Sequence, residues 1–256
     1  MSTAKTEDTM TSLEKALYLF LLFGQEPYEY TIPQLVEKTG LNRTTIYRNI
    51  VTLEENDLLI KNGRDKSYRL GPMTYHLGSV YLGNANYQEN ILSILEDIAM
   101  ESKESVGLAR REGSRVVSIY SVEIHQPVKM NDKPGVFYPM NRGTYGKCLM
   151  AYHNREIVEK LIDEAMPFEK VCKNTITEKT ALLQEYDMIK KCGFVTSIEE
   201  TFPLIIGIGI PLTGSTGEVK NVVSISFFKE ENYLEKIDSL KELLFRYKKE
   251  LEKFIV

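Results

Sequence analysis

The chain has 256 residues, 43% hydrophobic and 27% charged, which leaves room for two soluble globular domains and excludes a disordered or fibrous polypeptide. Its formal net charge of -4 and isoelectric point near 5.6 exclude a protein that coats nucleic acid without specificity. The cations Arg43, Arg48, Lys61, Arg64, Lys66 and Arg69 instead gather in one stretch, the pattern of a site-specific binder.

No apolar run approaches the roughly eighteen residues that span a bilayer, and residues 1–11 are polar without a signal-peptide core, so the expected location is the cytoplasm, away from membranes. Cys148, Cys172 and Cys192 contain no C-x-x-C pair, and His76, His125 and His153 have no partner at i, i+4. Neither a disulfide framework nor a metal site is indicated, and no cofactor is expected.

Residues 1–11 read as a disordered terminus. Ser12 is the expected N-cap of a first helix running through Leu21 and Phe23, whose stripe Leu13, Leu17, Phe20 and Leu21 is expected to pack on the two helices that follow. Thr31 caps the next helix, with Pro33 in its first turn and Ile32, Leu35 and Val36 on one face; Gly40 closes it. Asn42 then caps a third helix with Ile46, Ile50 and Leu53 inward and Arg43, Thr44, Thr45, Tyr47, Arg48 and Asn49 outward. Two short helices across a glycine turn, the second presenting such donors and acceptors, form a helix-turn-helix suited to the DNA major groove. A short apolar run from Leu58 ending in the charge of Lys61, a glycine turn and the alternating Tyr68 to Leu70 add a β-hairpin wing whose Arg64 and Lys66 are placed to meet phosphate.

Pro72 opens a further helix, and its Tyr75, Leu77, Val80, Tyr81 and Leu82 are too apolar for a solvated linker, so residues 72–87 are expected to form a dimer surface. From Gln88 the pattern changes. A helix marked by Ile91, Ile94, Leu95 and Ile98 precedes strands at 105–110 and 116–120, and further strands are expected at 127–130, 194–197, 205–212 and 219–228. Helices are expected at 145–152, 155–165 and 178–192, the last behind a capping box from Thr175 to Glu178 and closed by Gly193, with a final one at 233–254. The fold class is α+β in two domains, the second an antiparallel sheet with flanking helices.

The order of these pieces resembles the IclR-type family of transcriptional regulators from Ser12 to about Leu244. S-L-E-K-A-L and L-V-E-K-T-G-L-N-R-T-T-I-Y-R-N-I-V-T-L-E match the family's N-terminal pattern, and the wing ends in Y-R-L-G-P as family wings do. T-Y-G-K-C-L-M-A, T-I-T-E and K-K-C-G-F-V-T-S-I-E-E resemble its C-terminal motifs. The resemblance implies a winged-helix DNA-binding domain over 12–71, a dimerisation linker over 72–87 and a GAF-like effector-binding domain over 88–256. It also implies a homodimer, or a homotetramer built from two dimers, that responds to a small metabolite and acts on a double-stranded operator, as a repressor of a catabolic or metabolic operon. DNA contacts then fall to Asn42, Arg43, Thr44, Thr45, Tyr47, Arg48, Arg64 and Lys66.

By the same resemblance the effector pocket comprises Met130, Tyr138, Met140, Thr144, Tyr145, Ser197, Ile205, Gly207, Ser224 and Ser226. Ser197 stands where the family pattern has Asp, and Gly207 where Cys is frequent; one removes a charge and the other leaves room, which points to a ligand that is neutral or larger than the small keto acids some relatives bind. Ser224 and Ser226 share one face of a strand by its two-residue period. Two other readings compete: an enzyme using Cys148 beside Lys147, and a DNA-binding protein whose second domain only oligomerises.

Overall fold

The computed structural model describes residues 10–84, 89–123 and 134–255. Its contacts divide the chain into two compact units, Met1–Ala85 and Asn86–Val256. The strand expected at 127–130, with Met130, and the residues before Met10 lie outside the described residues.

The first unit contains α1 (Ser12–Leu22), α2 (Ile32–Thr39), α3 (Arg43–Glu55), the hairpin β1 (Leu59–Lys61) and β2 (Tyr68–Leu70), and α4 (Pro72–Asn84). Thr11, not Ser12, caps α1: its side chain accepts from the Glu14 N–H while the Glu14 carboxylate reaches back to the Thr11 N–H, a complete capping box. Helix α1 buries Leu19 and Leu22, and its C-cap Phe23, against Leu35, Ile46, Ile50, Leu53, Leu59 and Tyr68. The stripe expected to pack there is on the other side. Leu13, Leu17 and Leu21 are 69%, 50% and 65% exposed, and only Phe20 of that set lies against the core. Helix α4 leaves Tyr75, Leu77, Val80 and Tyr81 exposed as well.

The second unit holds α5 (Glu89–Ser102), β3 (Ser105–Glu112), β4 (Arg115–Val122), β5 (Phe137–Tyr138), α6 (Thr144–Ala151), α7 (Arg155–Ala165), α8 (Lys179–Cys192), β6 (Val195–Ile198), β7 (Ile205–Thr213), β8 (Val219–Phe228) and α9 (Tyr233–Glu252). The six strands form one antiparallel sheet in the order β5-β4-β3-β8-β7-β6. Strand alternation splits their side chains between two helical layers. Ile206, Ile208 and Ile210 of β7 and Val223, Ile225 and Phe227 of β8 pack under α5 and α9, while Val222, Ala109 and Val195 face α6, α7 and α8. The intervening residues Gly207, Gly209, Ser224 and Ser226 therefore point to the α6 side.

The capping box expected before α8 does not form. Glu178 is itself the N-cap, without a side-chain cap bond, and Thr175 turns inward, where its hydroxyl donates to the Glu200 carbonyl at 2.6 Å and accepts from the Cys172 N–H.

Candidate functional site

Strand register builds the floor of a cleft. Ser197 of β6 lies opposite Gly207 of β7, which lies opposite Ser226 of β8, so two hydroxyls flank a glycine in one row across three strands. The first turn of α6 crosses above this row, led by Gly143, whose φ of 75° is one that glycine adopts readily. No side chain caps α6. The cleft between them is lined by Tyr138, Thr144, Tyr145, Ser197, Ile205, Gly207 and Ser226 among the expected residues, and by Gly143, Thr201 and Phe202 in addition. The rings of Tyr138 and Tyr145 meet edge to face, their centroids 4.7 Å apart.

Two residues of the expected set lie elsewhere. Met140 lines a separate hollow of about 420 Å³ on the other side of Tyr138, with Arg115, Arg142, Met150 and Phe168. Ser224 shares the face of Ser226 but is sealed beneath Thr144: the two hydroxyls are 2.8 Å apart, and Ser224 Oγ donates to the Ile208 carbonyl at 3.0 Å. Gly207 does not enlarge the cleft. A Cβ at Gly207 would stand 2.8 Å from the Thr144 methyl, so the space that its missing side chain releases is filled by Thr144. The cleft is accordingly small, about 70 Å³, against the ~300 Å³ or more of a drug-sized site.

An ionic cluster under the cleft holds α6 in place. Lys147 is 1% exposed, and its ammonium donates to Glu185 Oε1 at 2.7 Å, the Thr196 carbonyl at 2.8 Å and Glu200 Oε1 at 2.6 Å. The other Glu200 oxygen accepts from the Gly143 N–H and from Ser197 Oγ, each at 3.0 Å. Glu200 thus ties the start of α6, its second turn and the end of β6 to one carboxylate. Sequence reasoning missed this pair, although a lysine inside the apolar run Y-G-K-C-L-M-A signals that a buried acid must face it. Cys148, beside it, is fully buried, and burial pushes its thiol far above the ordinary range.

In the first unit, α3 presents the expected reading face. Asn42 Oδ1 caps it by accepting from the Thr44 N–H at 2.8 Å. Ile46, Ile50 and Leu53 are buried, which puts the exposed Thr44 and Arg48 on the opposite line of the helix, whereas Thr45 is half-buried on its flank. Arg43 and Tyr47 sit to the other side, lining a groove of about 290 Å³ with Thr31, Pro33, Lys61 and Lys66. The wing turn is fixed by Asp65, which accepts from the Ser67 N–H at 2.9 Å and the Ser67 hydroxyl at 2.7 Å; these bonds, the backbone one first, hold its carboxyl below the usual range. Arg64 and Lys66 remain exposed at the tip.

Comparison with known proteins agrees with both units. Residues 12–63 match the IclR helix-turn-helix domain, and residues 79–251 match the bacterial transcriptional regulator IclR C-terminal family. KipR of Bacillus subtilis (strain 168), an HTH-type transcriptional regulator, is 26% identical over 84% of this chain and 85% of its own length. KdgR of Escherichia coli (strain K12), another, is 24% identical over 92% of this chain and 90% of its own. Among solved structures, the IclR regulator from Alicyclobacillus acidocaldarius superposes with a TM-score of 0.79 at 21% identity, covering 96% of this chain and 99% of that one. An IclR homologue from Microbacterium hydrocarbonoxydans, solved with 4-hydroxybenzoate, gives 0.75 at 20% identity over 94% of this chain and 99% of its own. With a winged helix-turn-helix and a GAF-like sensor matched along nearly its whole length, the chain belongs to the IclR family of ligand-responsive, DNA-binding transcriptional regulators.

Proposed function

We propose that this protein is a cytoplasmic repressor of a catabolic or metabolic operon, released from or retained on its operator by a small organic effector bound in the cleft over Ser197, Gly207 and Ser226. The observation that carries this reading is that row of two hydroxyls and a glycine, roofed by the uncapped first turn of α6. The 4-hydroxybenzoate complex of the Microbacterium homologue supports a small organic ligand for a protein of this fold. The reading includes neither a cofactor nor catalysis; against the one nucleophile the sequence offers, Cys148 is fully buried and burial pushes its thiol up.

The test is a thermal-shift screen against small metabolites, because a ligand that binds only the folded state raises apparent stability. Ser226→Phe fills the cleft and is expected to abolish the shift of any metabolite that stabilises the parent. An unchanged shift places the effector elsewhere, and no shift from any metabolite favours a domain that only oligomerises.

The functional unit is a homodimer, assembled into a tetramer through the second domain. Two apolar surfaces of the first unit favour a second copy as their cover: Leu13, Leu17 and Leu21 of α1, and Tyr75, Leu77, Val80 and Tyr81 of α4. Leu17→Glu is expected to weaken self-association roughly tenfold per copy, since each leucine kept in water forfeits about 1.5 kcal/mol or more. Light scattering across a micromolar dilution series reads this, and an unaltered mass curve removes α1 from the interface.

A further inference from the structure

We propose that the effector donates a hydrogen bond to Ser197 Oγ and is therefore a small hydroxyl-bearing compound, such as a hydroxy acid or a polyol, and not its oxo counterpart. This rests on the reading of the cleft as the effector site and adds the polarity of the ligand.

The protons of the cleft's hydroxyl and N–H groups decide what it can donate and accept. A hydroxyl has one proton to give and two lone pairs to receive. The Ser197 hydroxyl lies 3.0 Å from Glu200 Oε2, and a carboxylate oxygen only accepts, so the Ser197 proton points at Glu200. Ser224 Oγ lies 3.0 Å from the Ile208 carbonyl, another pure acceptor, so its proton is engaged as well. In the 2.8 Å contact between Ser224 and Thr144, either hydroxyl has the geometry to donate. With the Ser224 proton on Ile208, the donor there is Thr144. The Gly143 N–H, which opens the first turn of α6, is on Glu200. All three protons of Lys147 are used on Glu185, Thr196 and Glu200.

The consequence is that Ser197 faces the cleft with lone pairs alone and that Thr144 has no proton to offer a ligand; other donors, the Ser226 hydroxyl, the Tyr138 hydroxyl, which is buried without a partner among the described residues, and the uncapped first turn of α6, are left for the ligand's other oxygens. Behind Ser197 stands the Glu200 carboxylate, and no Lys, Arg or His lines the cleft among the described residues. A keto oxygen set against Ser197 would oppose lone pair to lone pair beside a carboxylate, whereas a ligand hydroxyl in the same place completes the chain from ligand to Ser197 to Glu200. A site that pairs a ligand hydroxyl discriminates strongly against the analogue that cannot donate, because its own polar group is then left unmatched. Ser197 thus keeps an acceptor facing the ligand while the charge stays one layer deeper, on Glu200.

Matched pairs on one carbon skeleton, in which the oxo member carries no other alcohol, test this: lactate and pyruvate, 2-hydroxybutyrate and 2-oxobutyrate, 3-hydroxybutyrate and acetoacetate, 2-propanol and acetone. Each is titrated against the full-length protein with melting temperature as the readout. The expected result is that the hydroxy member of at least one pair raises the melting temperature and binds at least ~10-fold more tightly than its oxo partner, in line with the discrimination of hydroxyl-pairing sites. Ser197→Ala is expected to erase that preference, Ser197→Thr to keep it, and Ser226→Phe to remove binding of both members. An oxo member that binds as tightly as its partner, a preference that survives Ser197→Ala, or a panel in which no hydroxy member binds overturns the proposal. In the first two cases, loss of binding in Ser226→Phe leaves the cleft standing as the effector site; a shift that persists in Ser226→Phe overturns the cleft itself.

Discussion

Lys147→Met is expected to be the most damaging single substitution in the second unit. Methionine approximates the length of the lysine stem, so the change removes the ammonium and little else. It strands Glu200, which is 7% exposed and would then hold its negative charge with only the Gly143 N–H and the Ser197 hydroxyl for partners. Breaking a buried pair from one side costs about 3–5 kcal/mol, since an uncompensated charge stays inside. In a unit of this size that corresponds to a fall of roughly 6–20 °C in melting temperature, read by calorimetry of the full chain. Glu185 is the lesser partner, because its side chain is 31% exposed and water replaces the lost ammonium. A double substitution, Lys147→Met with Glu200→Met, separates charge from packing. It is expected to be less destabilised than the sum of its two parents, leaving the unmet Gly143 N–H, Ser197 hydroxyl and Thr196 carbonyl as losses of the hydrogen-bonding kind, about 1–3 kcal/mol each. A Lys147→Met protein within about 1 kcal/mol of the parent would show that α6 is held by its apolar face alone, contrary to the cost expected of a broken buried pair. The same variant is expected to lose ligand response, because Glu200 and Lys147 together position the first turn of α6 over the cleft floor.

Periodicity made most of this architecture readable in advance, and the places where it did not show what local pattern lacks. The residues from Leu13 to Phe23 carry two apolar faces: Leu13, Leu17 and Leu21 repeat every four positions, while Leu19, Leu22 and Phe23 form a second cluster. Nothing within the helix says which face meets the core; that depends on the shape that α3 and the wing offer, and they took the second. Thr11 and Glu14 did state the start of the helix, since T-x-x-E fits the capping box and Ser12 does not. The same pattern at Thr175 and Glu178 misleads, because the carbonyl of Glu200 captures the Thr175 hydroxyl from across the fold. In the cleft, strand alternation placed Ser224 and Ser226 on one face, yet only the helix packed above decides that one is covered by Thr144 and the other open. Gly207 is a similar case: absence of a side chain reads as space until the methyl of Thr144 is seen to occupy it. The register Ser197, Gly207, Ser226 could not be read from sequence at all, because it joins three strands whose pairing is set by loops and bulges.

On DNA, two kinds of substitution are expected to fail differently. Thr44 stands in the first turn of α3, exposed and opposite the buried Ile46, Ile50 and Leu53, which is the end and the line of a recognition helix that meet base edges. Thr44→Ala is therefore expected to cost about 1–3 kcal/mol on the preferred operator and to leave binding to scrambled duplex nearly unchanged. Arg43 and Lys66 flank the groove between α3 and the wing with Lys61 and Tyr47, so their charges are expected to meet phosphate and to carry no base information. Replacing both by Ala is expected to weaken operator and scrambled DNA alike and to lower the salt slope by about two units, close to one for each phosphate left without its cation. Half-buried Thr45 serves as the internal control: on the flank of α3, its replacement by Ala is expected to have a smaller effect than that of Thr44, since less of it is open to a groove. The operator is first selected from random duplexes, and each variant is then titrated by fluorescence anisotropy on operator and scrambled DNA at several salt concentrations. If Thr44→Ala weakens both duplexes equally, the α3 face reads backbone and not bases. If the Arg43 and Lys66 double variant keeps the parent salt slope, the groove beside the wing lies off the phosphate path, and the cations at Arg48 and Arg64 become the ones that hold the duplex.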